Sequence, residues 1–232
     1  MRFYGSLAGV AFVALLAVGV CAQDEKCPIN SRVRGHENVE WSTGYSYHLT
    51  DDLKELPRVL IIGDSICNGY QPFVHKRLKG KVNVSYWVSS YCVTSPAYLK
   101  LLDVYLGESN YDVVHFNNGL HSLGVSPKEW GRGLEAALKL IRKRQPRAKI
   151  IWATSTPLRT EEGSERVRKL NAVGTEVTRR LGGIIGNDLF GLINPLDRAT
   201  NWTDDYHHVP GLYEREADQV AGLIAKTAGV SL

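Results

Sequence analysis

A serine becomes a nucleophile only when a neighbouring base takes its proton and a third group holds that base in place. The sequence carries the makings of such a set near its two ends. Residues 59–70 read VLIIGDSICNGY, where four apolar residues run into Gly63, Asp64 and Ser65. Residues 204–213 read DDYHHVPGLY, where Asp204 stands three before His207 and Asp205 three before His208. A turn at either spacing lets a carboxylate hold one imidazole nitrogen while the other faces a hydroxyl. The residues alone leave both registers open, and each piece has a plainer use. Gly-Asp-Ser after a strand also caps a helix, and Asp-x-x-His is also an ordinary surface loop. Two aspartates beside two histidines also fit a metal cluster, although no other Cys/His pair has zinc-ligand spacing.

These residues need a scaffold that brings position 65 to position 207. From residue 58 onward, short apolar runs alternate with longer amphipathic stretches. Strands are expected at 58–62, 82–88, 112–116, 149–153 and 183–185. Helices are expected at 71–78, 97–106, 127–144, 165–181 and 211–228. In the third helix Pro127 suits a first turn, and Trp130, Leu134, Leu138 and Ile141 recur at helical spacing. The alternation specifies one α/β domain, residues 58–232, with a parallel sheet covered on both faces. Functional residues of such sheets gather at the carboxyl ends of the strands. Ser65 falls there, beside a helix start whose N–H groups favour developing negative charge. Residues 23–57 are polar and poorly periodic. They are expected to form an N-terminal extension packed across the domain through Trp41, Tyr45 and Tyr47.

The chain has 232 residues, 44% hydrophobic and 22% charged, which supplies one sizeable core. The net charge of +4 is scattered, and no basic stripe with interleaved aromatics points to nucleic acid. Residues 1–22 carry Arg2, an apolar run from Leu7 to Val20, and small residues at Val20 and Ala22. This pattern reads as a secretory signal peptide cut near Ala22. The run is short for a membrane span, so no span is expected after cleavage, and the product is expected to be secreted or periplasmic. Cys21 as a lipidated residue is an alternative that Val20 disfavours, being larger than the residue expected just before a lipidated cysteine. After cleavage Cys27, Cys67 and Cys92 are left, so at most one internal disulfide can form. Cys67 with Cys92 is the pair expected first, and three buried thiols are the alternative. Asn83 and Asn201 each begin an Asn-x-Ser/Thr sequon.

Taken together, Gly-Asp-Ser after the first strand and Asp-x-x-His before the last helix resemble the SGNH, or GDSL-type, hydrolase superfamily. GDSICNGY resembles its nucleophile block. DDYHHVPGLY resembles its last block, where proline follows the histidine by three and tyrosine by six. Pro210 and Tyr213 keep that spacing from His207 and not from His208. The string FNNGLH, residues 116–121, resembles a subgroup of secreted bacterial members, many of them carbohydrate-related. The resemblance implies a three-layer α/β/α sandwich, flavodoxin-like, on a five-stranded parallel sheet. It also implies a Ser65-His207-Asp204 triad and ester hydrolysis without metal or other cofactor.

The resemblance further implies three oxyanion donors: the serine N–H, a glycine N–H in a second block and an asparagine in a third. The chain departs from the last two. Residues 88–99, VSSYCVTSPAYL, contain no glycine, which leaves a backbone N–H near Thr94 for the second donor. With Gly119 matched to the third block, His121 stands where asparagine is expected; Asn117 and Asn118 are the alternatives. Trp202, two residues before Asp204, is a candidate wall for a sugar ring or a core residue. The expected function is a secreted serine esterase removing acyl groups, acetyl foremost, from a polysaccharide or oligosaccharide. An acyltransferase on a cell-surface glycan and a non-enzymatic glycan-binding protein are the rival readings.

Overall fold

The computed structural model describes residues 41–46 and 52–232. The expected signal peptide, Cys27 and the Tyr47 anchor lie outside those residues. Six strands form one sheet: β1 (Ser42–Ser46), β2 (Arg58–Gly63), β3 (Asn83–Ser89), β4 (Val113–Phe116), β5 (Lys149–Ala153) and β6 (Ile184–Asn187). Their order is β1-β3-β2-β4-β5-β6. The helices are α1 (Ser65–Leu78), α2 (Tyr98–Gly107), α3 (Pro127–Arg144), α4 (Glu161–Leu181), the short α5 (Leu189–Ile193) and α6 (Arg198–Asn201), and α7 (Pro210–Ala228).

β2 through β6 pair in parallel and keep the expected flavodoxin-like arrangement. The expected five strands become six because β1 adds antiparallel to the outer edge of β3, with Ser42 opposite Ser89. The sequence STGYS has little strand character of its own. An unpaired edge of β3 supplies the missing partners, and covering such an edge also removes a template for aggregation. Trp41, just before β1, packs against the core, and its N–H donates to Ser90 Oγ at 2.8 Å.

β2 explains how the sheet sorts its faces. Val59 and Ile61 join the core under α1 and α7, while Leu60 and Ile62 join the core under α2, α3 and α4. All four are buried. A strand buried on both sides reads as a continuous apolar run, as VLII does. β3 and β4 flank β2, so the direction of winding reverses at the carboxyl end of β2. Ligand crevices open at such a reversal, and Ser65 sits there.

The core also buries His115 in the middle of β4. Its Nε2 accepts from Asn187 Nδ2 at 3.0 Å. Burial drives the imidazole down from 6.5 to about 4. A base with a depressed folded pKa contributes stability that is full above the unfolded value and is lost as pH falls toward the folded one. We therefore expect acid to cost about 3 kcal/mol through this group between roughly pH 6.5 and 4. Urea unfolding of wild type and His115→Gln across that range checks this. The variant should show the shallower pH dependence, and parallel profiles would place the acid sensitivity elsewhere.

Candidate active site

The Gly-Asp-Ser turn is both a helix cap and a nucleophile mount. Asp64 is the N-cap of α1, and its Oδ1 accepts from the Ile66 N–H at 3.0 Å. That leaves Ser65 as the first helical residue, where a backbone N–H has no acceptor within the helix. A Cβ on Gly63 would lie 2.4 Å from the Cys67 Cβ, so the strand can turn this tightly into the helix only with glycine. The cap starts α1 six residues before the expected Gln71. Gly69 and Pro72, both poor helix formers, hide that start in the sequence.

Ser65, His207 and Asp204 form one continuous chain of hydrogen bonds. His207 Nε2 lies 2.8 Å from Ser65 Oγ, and His207 Nδ1 lies 2.7 Å from Asp204 Oδ2. The other Asp204 oxygen accepts from the backbone N–H groups of Tyr206 at 2.8 Å and His207 at 2.7 Å. Desolvation pushes this carboxyl up, but the N–H and ring of His207 and the N–H of Tyr206 outweigh it and hold it at about 2. Asp204 is therefore ionised at neutral pH, as an orienting carboxylate must be. Both partners stay open to solvent, with 41% of the His207 side chain and 56% of the Asp204 side chain exposed.

The alternative register is turned away. The Asp205 carbonyl accepts from the Arg159 N–H at 2.9 Å. His208 is buried, with Nδ1 3.2 Å from Glu216 Oε1 in a pair whose side chains have no exposure. Burial raises the Glu216 carboxyl. The His208 N–H donates to the Tyr213 hydroxyl at 3.2 Å. Tyr213 in turn fills the slot left by Gly69, where a Cβ would meet its ring at 2.3 Å. Glycine on α1 thus sets how closely the histidine loop approaches the helix that carries Ser65. This contact gives Tyr213 a structural reason for its fixed distance from His207.

Two loops hold the remaining candidates. After β3, the Val93 N–H donates to Asn118 Oδ1 at 3.3 Å and the Ser95 N–H to the Cys92 carbonyl at 2.8 Å. The Thr94 N–H meets only the Cys92 sulfur at 3.4 Å, a weak acceptor, and is the least committed of the three. Gly133 of α3 lets this loop pack close, since a Cβ there would lie 3.1 Å from the Val93 carbonyl oxygen. After β4, His121 lies in a 3-10 turn, Leu120–Ser122, with its ring edge against Trp41 at 6.2 Å. Ser122 Oγ donates to Asn118 Oδ1 at 3.3 Å and reaches Cys92 Sγ at 3.0 Å, and Asn118 Nδ2 donates to the Tyr91 carbonyl at 2.8 Å. Asn118 therefore ties the Thr94 loop to the His121 turn.

Two expectations need correction, and the Asn117 alternative is weakened. The buried Asn117 amide commits one N–H to the Ala153 carbonyl at 2.9 Å, while the other only reaches toward Ser155 Oγ at 3.5 Å. Trp202 is not a wall for a ligand: it is 4% exposed, with the Arg198 guanidinium 4.6 Å over its ring and His208 at its edge. Cys67 and Cys92 are both free and buried. They belong to cores on opposite faces of the sheet, which keeps them from pairing. Behind Ser65, a cavity of about 10 Å³ is lined by Asp64, Ile66, Tyr70, Asn117 and Leu120, among others. That is room for about one water.

No family model and no curated protein matches the chain. Solved structures do. A carbohydrate esterase family 3 protein from Talaromyces cellulolyticus is 15% identical with a TM-score of 0.60, over 76% of this chain and 100% of that one. A member of the lipolytic G-D-S-L family from Veillonella parvula is 14% identical with a TM-score of 0.62, over 73% and 98%. A proposed SGNH hydrolase from Slackia heliotrinireducens is 14% identical with a TM-score of 0.59, over 73% and 100%. Identities this low speak to architecture, and on that level the chain has the fold of the SGNH hydrolases. Among the described residues no helix is long and apolar enough to cross a membrane.

Proposed function

We propose that the protein is a secreted serine esterase that removes short acyl groups, acetyl foremost, from a carbohydrate. The observation that carries this is the unbroken Asp204–His207–Ser65 hydrogen-bond chain at the carboxyl end of β2. Ser65 Oγ attacks the ester carbonyl carbon while its proton passes to His207 Nε2. Charge on the carbonyl oxygen is met by the N–H groups of Ser65 and Thr94 and by the His121 ring. The tetrahedral intermediate collapses, and the imidazolium delivers its proton to the departing sugar oxygen. Water then attacks the acyl-serine with His207 as base, releasing the acid and restoring Ser65. Asp204 holds the imidazole tautomer and offsets its charge.

The structural neighbours support the choice of substrate class. Three of the structural neighbours carry the name carbohydrate esterase. A serine-directed phosphonate tests the reading. Peptide mass analysis should find the adduct on Ser65, with matching loss of 4-nitrophenyl acetate hydrolysis. A protein that stays unlabelled and inactive would instead be a binding protein on this fold.

A further inference from the structure

We propose that Tyr206 is the platform on which the sugar ring of the substrate rests during ester cleavage, an assignment that depends on the esterase reading above. The other aromatic rings of the histidine loop are committed to the protein: Trp202 is under Arg198, and Tyr213 is against Gly69. Tyr206 is 43% exposed. Among the described residues it is the only aromatic one of the four large apolar side chains left exposed, beside Leu53, Val104 and Leu232.

Its backbone is held in place beside the triad. The Tyr206 N–H donates at 2.8 Å to the same Asp204 oxygen that receives the His207 N–H. On either side, the Asp205 carbonyl is held by the Arg159 N–H at 2.9 Å, and the Thr203 N–H donates to the His207 carbonyl at 2.8 Å. The ring therefore hangs from a backbone locked to the triad, one residue from the base. A pyranose has an apolar C–H face edged by hydroxyls. Tyrosine matches it with a flat apolar body and a polar tip. Asp205 and Arg159, both exposed and joined through the backbone, add an acceptor and a donor for those hydroxyls on the same rim.

The test compares two acetate esters, xylose tetraacetate and ethyl acetate, of which only the first carries a sugar ring. Tyr206→Ala should raise KM for the sugar ester about tenfold, the equivalent of roughly 1.4 kcal/mol of binding, with kcat nearly unchanged. On ethyl acetate both constants should stay within about twofold of wild type, since the triad is untouched. Tyr206→Phe, which keeps the flat face, should stay near wild type on both esters. Equal losses on both esters would make Tyr206 a residue that positions the loop and overturn the platform. An unchanged KM for the sugar ester would overturn it too, as would a wild type that cleaves ethyl acetate but not the sugar ester. If wild type cleaves neither and Ser65 takes no phosphonate, the esterase reading itself is what failed, and the platform falls with it.

Discussion

Replacing Ser65 with alanine is expected to lower ester hydrolysis by about 10⁴- to 10⁶-fold while leaving the thermal midpoint unchanged, because the triad acts as a unit. His207→Ala should fall in the same range. The neighbouring residues give the internal control. Asp204→Ala removes the carboxylate that holds Nδ1 and should cost far more activity than Asp205→Ala, whose backbone carbonyl makes the loop contact and survives the substitution. His208→Ala should act differently again. It removes a buried ring packed against Glu216 and Trp202 and leaves a void among buried side chains, which destabilises the fold. Its signature is a lower melting temperature with near-normal kcat per folded molecule. Initial rates with chromogenic acetate, set beside melting curves for all five variants, separate the two effects. A Ser65→Ala protein that keeps most of its activity on every accepted ester would remove the nucleophile assignment.

The second large effect belongs to His121. If its ring supplies the third oxyanion donor, it acts on charge that exists only in the transition state. Removing such a donor typically lowers kcat by about 10²- to 10³-fold with little change in ground-state binding. His121→Ala should therefore depress kcat and leave KM nearly unchanged, and His121→Asn, which restores an N–H donor, should recover part of the rate. Phosphonate labelling of Ser65 should slow in His121→Ala but still occur. A normal kcat in His121→Ala would shift the third donor elsewhere. Asn117 and Asn118 are poor replacements, since their amides already bridge the loops around the site.

Much of this architecture is legible in the sequence because local and tertiary signals agree. The third helix and fourth parallel strand match their expected limits, Pro127–Arg144 and Lys149–Ala153. Ser126 caps the helix, Pro127 opens it, and its apolar residues keep one face. α4 starts at Glu161, four residues before the expected start, because Thr160 caps a polar first turn that carries no periodic signal. β1 is invisible because only the edge of β3 makes it a strand. At the site, the resemblance to the superfamily's first and last blocks selects Ser65, Asp204 and His207, which the fold places in one hydrogen-bonded line. Spacing could not tell that Trp202 would be buried and Tyr206 exposed, since both are aromatics on one loop and only packing distinguishes them. For the cysteines, the choice between a disulfide and buried thiols is likewise one that only packing makes: Cys67 in α1 and Cys92 after β3 join cores on opposite faces of the sheet and stay as buried thiols.

The sequon at Asn83 meets a conflict that Asn201 does not. Asn83 opens β3 with its side chain buried. Its Oδ1 accepts from the Leu53 N–H at 3.1 Å, and its Nδ2 donates to the Leu53 carbonyl at 2.7 Å. A glycan attached during translocation, before these bonds form, would occupy the very nitrogen that docks residues 53–56 onto the sheet. Asn201 is half-buried at the end of α6, and its amide makes only contacts within its own turn, to Asp197 and Thr200. A secretory pathway that installs N-glycans would therefore divide this protein's molecules into those that escape modification at Asn83 and mature, and those that carry it and fail quality control. The yield from such a host would be decided by one asparagine far from the triad.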